Sequence, residues 1–175
     1  MAGPGGELDW HTQQWNNEMG EYAFQQLSRA DTILFGRVTY EAMANFWPVA
    51  FKESNSKKGD IEFANMMNSY KKIVFSKTLS TVEWKNSRLV KENVEQEIMQ
   101  LKHEGGKDLI IWGGVGLVSS FMQMSLIDEY RISIAPVVLG NGMKPLINAL
   151  EKTELKLLDM TTFSNGVVLL CYHRA

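Results

Sequence analysis

The stretch Asp108-Leu109-Ile110-Ile111-Trp112-Gly113-Gly114-Val115-Gly116-Leu117 constrains the fold more than any other. Its apolar run is too short for a helix and suits a buried strand. The glycines break the strand, and Leu117-Val118-Ser119-Ser120-Phe121 then reads as a helix. A strand that passes through glycines directly into a helix belongs to a sheet covered by helices. The same punctuation occurs twice earlier. Thr32-Ile33-Leu34-Phe35 stops at Gly36 and enters a helix near Arg37–Thr39, which must end before Trp47 because Pro48 follows. Lys72-Ile73-Val74-Phe75 is closed by Ser76-Lys77-Thr78.

Between these points the chain alternates. Trp15, Met19, Tyr22, Ala23 and Leu27 recur at helical spacing within residues 14–29, and further helices are predicted over 60–70 and 93–103. A weaker strand is predicted at Ser87–Val90. In Asp128–Pro136 the apolar Tyr130, Ile132 and Ile134 alternate with Arg131 and Ser133, a strand with one wetter face. Leu155–Thr161 and Gly166–His173 flank Ser164-Asn165-Gly166 and read as an antiparallel hairpin. The prediction is one α/β domain over residues 1–175, a sandwich with a mostly parallel mixed sheet and a C-terminal antiparallel hairpin. Residues 1–9 and 49–58 are read as loops.

Composition narrows the function classes. Of 175 residues, 45% are apolar and 22% charged, and a chain of this length buries about 70% of its unfolded surface. Eighteen basic against twenty acidic residues give a net charge of −2, which argues against a protein held to nucleic acid by phosphate contacts. No run is long enough to span a bilayer, and no signal peptide is evident, so a cytosolic location is expected. Cys171 is the single cysteine, and His11, His103 and His173 lack metal-ligand spacing, so no metal is expected.

The three strand ends are the candidate chemistry. A helix that starts from a glycine presents free N–H groups suited to phosphate. Arg37 adds a planar charged fork, and the Thr39 hydroxyl can donate or cap. A glycine turn with an exposed Arg satisfies the same pattern. Ser76 beside Lys77 fits either the extra phosphate of NADPH or a polar turn. Consecutive Gly113 and Gly114, with Gly116, let backbone approach a pyrophosphate closely. The run Gly114 to Ser119 nearly fits the Rossmann fingerprint, but Ser133-Ile134-Ala135 offers no ribose-binding acid, which argues against that fold. Trp10 and Trp47, both read as loop residues, are weak candidates for stacking on a flat heterocycle. No catalytic residue is assigned.

At these residues the sequence resembles the dihydrofolate-reductase-like superfamily. It is most similar to the C-terminal reductase domain of bacterial bifunctional riboflavin-biosynthesis deaminase-reductases, in a stand-alone form. The resemblance runs through Gly6-Glu7-Leu8-Asp9-Trp10, Asp31 to Glu41, Lys72 to Leu79, Ile111 to Gly116, Asp128 to Arg131 and Pro136 to Gly142, in family order. It implies a three-layer dihydrofolate-reductase-like sandwich and an NADPH-dependent reductase transferring hydride to a small heterocycle. The implied substrate type is the phosphoribosylamino-pyrimidine of riboflavin synthesis; a dihydrofolate or pterin reductase and a non-catalytic NADP-binding protein are the alternatives. By position, Gly36, Arg37 and Thr39 would meet the cofactor phosphates, Ser76 and Lys77 the adenosine end, and Gly113, Gly114, Val115, Gly116 and Leu117 the pyrophosphate. The resemblance also implies a homodimer. Family chains open with a central strand that this sequence is expected to lack, starting immediately after it.

Overall fold

The structure, a computed structural model, describes residues 9–50, 58–140 and 152–175. The predicted opening loop up to Leu8, most of the loop after Pro48, and the end of the Pro136–Gly142 segment lie outside the described residues. Two compact units emerge. Phe24–Val118 forms one, and the described parts of Met1–Ala23 and Ser119–Ala175 form the other.

The central unit is a four-stranded parallel sheet with its helices. Its elements are β1 (Ala30–Gly36), α3 (Arg37–Phe46), α4 (Lys58–Ser69), β2 (Lys71–Phe75), β3 (Ser87–Val90), α5 (Val94–His103) and β4 (Asp108–Ile111). The strand order is β3-β2-β1-β4. Thr32, Ile33, Leu34 and Phe35 are all buried, as are Lys72 to Phe75, which explains why both strands read as continuous apolar runs rather than as alternations. The helix α3 begins at Gly36 and its last turn closes with the Trp47 N–H on the Met43 carbonyl, one residue before Pro48.

The core of this unit gathers Leu27, Ile33, Phe35, Tyr40, Met67, Val74 and Trp84. Phe35, Tyr40 and Trp84 form an aromatic trio with centroid separations of 5.9–6.3 Å. Fully burying one such side chain contributes about 1.5–3 kcal/mol. The polar edges of the trio are tied as well. The Trp84 backbone N–H donates to the Tyr40 hydroxyl at 3.0 Å, and the Trp84 indole N–H donates to Asn68 Oδ1 at 2.8 Å. Asn68 Nδ2 in turn donates to the carbonyls of Trp47 and Ala64.

Lys72 is an unexpected member of this core. It is 0% exposed, its ammonium donates to the carbonyls of Tyr70 (2.8 Å) and Asn68 (3.1 Å), and it lies 4.5 Å from the centre of the Trp84 ring. Burial lowers its pKa to about 8.

The second unit carries a three-stranded antiparallel sheet in the order β5-β7-β6, built from β5 (Glu129–Ile134), β6 (Leu155–Thr162) and β7 (Val168–Arg174). The hairpin β6–β7 turns where Ser164-Asn165-Gly166 predicts it, with Gly166 at φ +83°. The antiparallel strands therefore form a sheet of their own, with β5 joined to the hairpin. Met19, Phe163, Val167 and Leu169 make its small core, closed by Tyr22, Ala135 and Cys171. The helix predicted over residues 14–29 is α2 (Asn17–Ser28), and a short unpredicted helix, α1 (Asp9–Gln14), precedes it and takes in Trp10, which the sequence reading puts in a loop. Asn16 breaks them apart, its side chain accepting the Met19 N–H at 2.9 Å as a cap. The helix α6 (Val115–Gln123) runs from the central unit into this one. Among the described residues no helix is long and apolar enough to cross a membrane, and no group of three or more His, Cys, Asp or Glu is placed to hold a metal.

Candidate functional site

Parallel pairing determines where the three candidate loops lie. Gly36 at the end of β1 pairs with Phe75 at the end of β2, and Leu34 pairs with Ile111 at the end of β4. The carboxyl ends of β2, β1 and β4 are thus neighbours along one sheet edge, about 4.8 Å from strand to strand. This is the edge of an open α/β sheet where ligands bind.

Two of the loops are packed together. A Cβ on Gly114 would lie 3.1 Å from Thr39 Oγ1, one on Gly113 would lie 4.0 Å from Thr39 Cγ2, and one on Gly36 would sit 3.5 Å from Leu117 Cβ. Gly113 (φ +74°) and Gly114 (φ +84°) also occupy backbone space that side-chain-bearing residues rarely adopt. The glycines therefore do two things: they turn the chain from β4 into α6, and they let it pass against Thr39. Gly116 differs. It is exposed, and a Cβ there would meet nothing within 4 Å. Space is open above the backbone at the start of α6.

The start of α3 has the donors expected of an anion site. Gly36 is its N-cap in extended conformation, with no side-chain capping hydrogen bond. Neither Thr39 nor any other side chain caps it, so its first-turn N–H groups are not consumed by a capping side chain. Arg37 is half-exposed and donates to Glu41 at 3.0 Å, one turn along the same helix. Such a surface pair is weak, about 0.3–0.5 kcal/mol, and leaves the guanidinium available to a stronger anion.

Ser76 is more constrained. Its hydroxyl accepts the N–H groups of Thr78 (3.2 Å) and Leu79 (3.1 Å), forming the polar turn that closes β2. One hydroxyl proton remains, shared with Thr78 Oγ1 at 3.3 Å. Lys77 is exposed beside it. The edge thus brings Gly36, Arg37, Thr39, Ser76, Lys77 and Gly113–Leu117 to adjacent strand ends.

The two tryptophans lie elsewhere. Trp47 lies just past α3, as its C-cap at the head of the turn over residues 47–50. Its indole N–H donates to Met43 Sδ at 3.0 Å, and its ring packs on Phe46 and Phe63. Phe63 in turn sits 5.8 Å from Trp112, the residue before the glycines. This aromatic chain connects Trp47 to the glycine loop indirectly, a relation invisible at 65 residues' separation along the chain. Trp10 belongs to α1, in the other unit, where it is half-buried and meets His11 edge-on at 5.8 Å.

One concavity was not anticipated. A cleft of ≈ 380 Å³ lies between α3 and the 79–84 segment, lined by Tyr40, Glu41, Asn45, Thr81 and Glu83 among others. Two carboxylates and no basic side chain make it hostile to phosphate.

The RibD C-terminal domain family matches residues 1–169. The chain is 34% identical over 173 residues to the uncharacterized protein YyaP of Bacillus subtilis, covering 99% of this chain and 87% of that one. Among solved structures, a putative riboflavin biosynthesis protein from Shewanella sp. PV-4 superposes with a TM-score of 0.72 at 24% identity, over 99% of this chain and 91% of that one. A deaminase/5-amino-6-(5-phosphoribosylamino)uracil reductase from Thermotoga maritima gives a TM-score of 0.65 at 15% identity, with this chain spanning 52% of its length. The last two share the fold, which is the dihydrofolate-reductase-like one expected from the sequence.

Proposed function

The chain belongs to the RibD C-terminal domain family, riboflavin-biosynthesis reductase-like, and we propose that it is an NADPH-dependent reductase of a small heterocycle. One observation carries the reading. Two adjacent strand ends, those of β1 and β4, present an uncapped helix start, a pair of left-handed glycines packed on Thr39, and an open backbone surface at Gly116. These features fit a ligand with two phosphate regions better than any other ligand class. The first-turn N–H groups of α3 and α6 hold the pyrophosphate, and Arg37 and Lys77 add positive charge for a further phosphate. The dinucleotide supplies the hydride when bound. The chain's own residues bind it, orient it and exclude water.

The substrate class follows from relatives and not from a side chain of this protein. The Thermotoga maritima protein of the same fold is named for reduction of a phosphoribosylamino-uracil, so a phosphoribosylamino-pyrimidine is the first substrate to try. Fluorescence titration with NADPH, followed by oxidation at 340 nm with pyrimidine and pterin substrates, tests the proposal. Binding with turnover of the pyrimidine supports it. Turnover of dihydrofolate instead would reassign the substrate, and binding without any turnover would make this a nucleotide-binding protein. Failure to bind NADPH would overturn the cofactor assignment.

A further inference from the structure

We infer that the cleft between α3 and the 79–84 segment is a second binding site, one that takes a small amino alcohol, an organic cation that also carries an uncharged oxygen. The cleft belongs wholly to the central unit and shares no lining residue with the glycine edge. Its volume of ≈ 380 Å³ lies at the small end of ligand pockets. Two segments build it. Tyr40, Glu41 and Asn45 come from successive turns of α3, and Thr81, Glu83 and Trp84 come from the loop that leads β2 into β3. Tyr40 and Trp84 are 5% and 7% exposed, with ring centroids 6.3 Å apart. They supply apolar surface for the carbon body of a ligand, and the carboxylates supply its orientation.

The polar groups of the cleft are short of partners in two opposite senses. Glu83 has no hydrogen bond or ion pair among the described residues, and Glu41 uses only Oε2, on Arg37. Carboxylates only accept, so what these walls lack is a positively charged donor. Tyr40 requires the reverse. Its buried hydroxyl accepts the Trp84 N–H at 3.0 Å, and its own proton has no acceptor among the described residues. A buried donor left unmatched in the wall of a cleft calls for an acceptor from the occupant. An ammonium group has no lone pair to offer, so the occupant needs an uncharged oxygen as well. The phenol thus separates an amino alcohol from a simple amine, which satisfies the carboxylates alone.

Glu41 ties this cleft to the edge where α3 begins. It lines the cleft and also accepts Arg37 at 3.0 Å. A cation in the cleft competes for that carboxylate and frees the guanidinium for phosphate. By linkage the two ligands then favour each other. This coupling rests on Arg37 meeting the NADPH phosphates; binding in the cleft does not.

Titration of the ¹⁵N-labelled full chain without nucleotide tests the site, using aminobutanol, butylamine and butanediol as probes on one carbon chain. With aminobutanol the Trp84 indole N–H and the amides of Glu41, Thr81 and Glu83 should shift saturably. Affinity should exceed that of either other probe at least about fivefold, and Glu83→Gln, at an exposed position, should weaken it by about the same factor. No saturable shift in the cleft, or unchanged affinity in Glu83→Gln, would overturn the site. Butylamine binding as tightly as aminobutanol would overturn the ligand class and the part given to Tyr40. At matched ionic strength, saturating aminobutanol should tighten NADPH about twofold in the wild type and not in Glu41→Gln. Unchanged NADPH affinity would overturn the coupling alone. NADPH that fails to bind at all would overturn the cofactor reading and the coupling with it, while the first titration decides the cleft.

Discussion

Replacing Gly116 by alanine should stabilise the fold and weaken NADPH binding in the same protein. Gly116 lies in α6, its φ is not positive, and the added methyl meets no atom within 4 Å. The fold therefore loses nothing, and the unfolded chain loses conformational freedom. Alanine for glycine in a helix is worth about 0.5–1 kcal/mol, and a position near the helix start belongs at the lower end of that range. For a chain of this size that corresponds to a rise in melting temperature of about 1–4 °C. The ligand, by contrast, is proposed to approach the backbone where the methyl now stands. A loss of close contact worth about 1.4 kcal/mol is a tenfold weaker Kd, and the branched Gly116→Val should cost more. Thermal melting without ligand and fluorescence titration with NADPH read the two effects separately. A higher melting temperature with unchanged Kd would refute the glycine-edge assignment, since it would place the dinucleotide away from open space at Gly116. Gly114 cannot serve this purpose. A side chain there meets Thr39 at 3.1 Å on a backbone at φ +84°, so its substitution disturbs the loop whether or not a ligand binds.

Arg37→Ala should weaken NADPH more than NADH in parallel titrations, because its guanidinium is held only by an exposed pair with Glu41; equal losses would show contact with the shared pyrophosphate alone. Lys72 makes stability depend on pH. Its pKa falls from 10.5 in the unfolded chain to about 8 when folded, so between these values the unfolded state binds more protons and stability rises with pH. The rise should reach about 3 kcal/mol by urea denaturation, and Lys72→Met should flatten it; an identical slope in the variant would contradict the assignment. Asn68→Ala should destabilise by about 2–3 kcal/mol, leaving the buried Trp84 indole N–H without its acceptor, and a denaturation midpoint equal to wild type would show the network to be dispensable.

Much of this architecture is legible in the residues because its punctuation is local. Gly36, Pro48 and the Gly113-Gly114 pair set element ends by backbone sterics, and the predicted strand at Ser87–Val90 occurs with those bounds. The order β3-β2-β1-β4 is not legible, since fully buried strands show no face and nothing local in their sequence selects neighbours. Lys72 was hidden for a similar reason. A lysine opening an apolar run reads as a strand's exposed start, and only the carbonyls at the end of α4 and the Trp84 ring make its burial tolerable. In β5 the alternation was plain, but which face the protein's own helix would cover was not, and it is the charged one. At the site, the polar turn is one of the two readings of Ser76, and its hydroxyl does close that turn. Its two backbone donors emerge only from the turn that follows.

The most direct measurement of the central claim is a titration of ¹⁵N-labelled protein with NADPH, following individual backbone amides. The account predicts that the largest shifts fall on Gly36, Arg37, Gly113, Gly114 and Gly116, with smaller ones at Ser76 and Lys77. Shifts confined to the acidic cleft between α3 and the 79–84 segment, or absent at saturating NADPH, would contradict it.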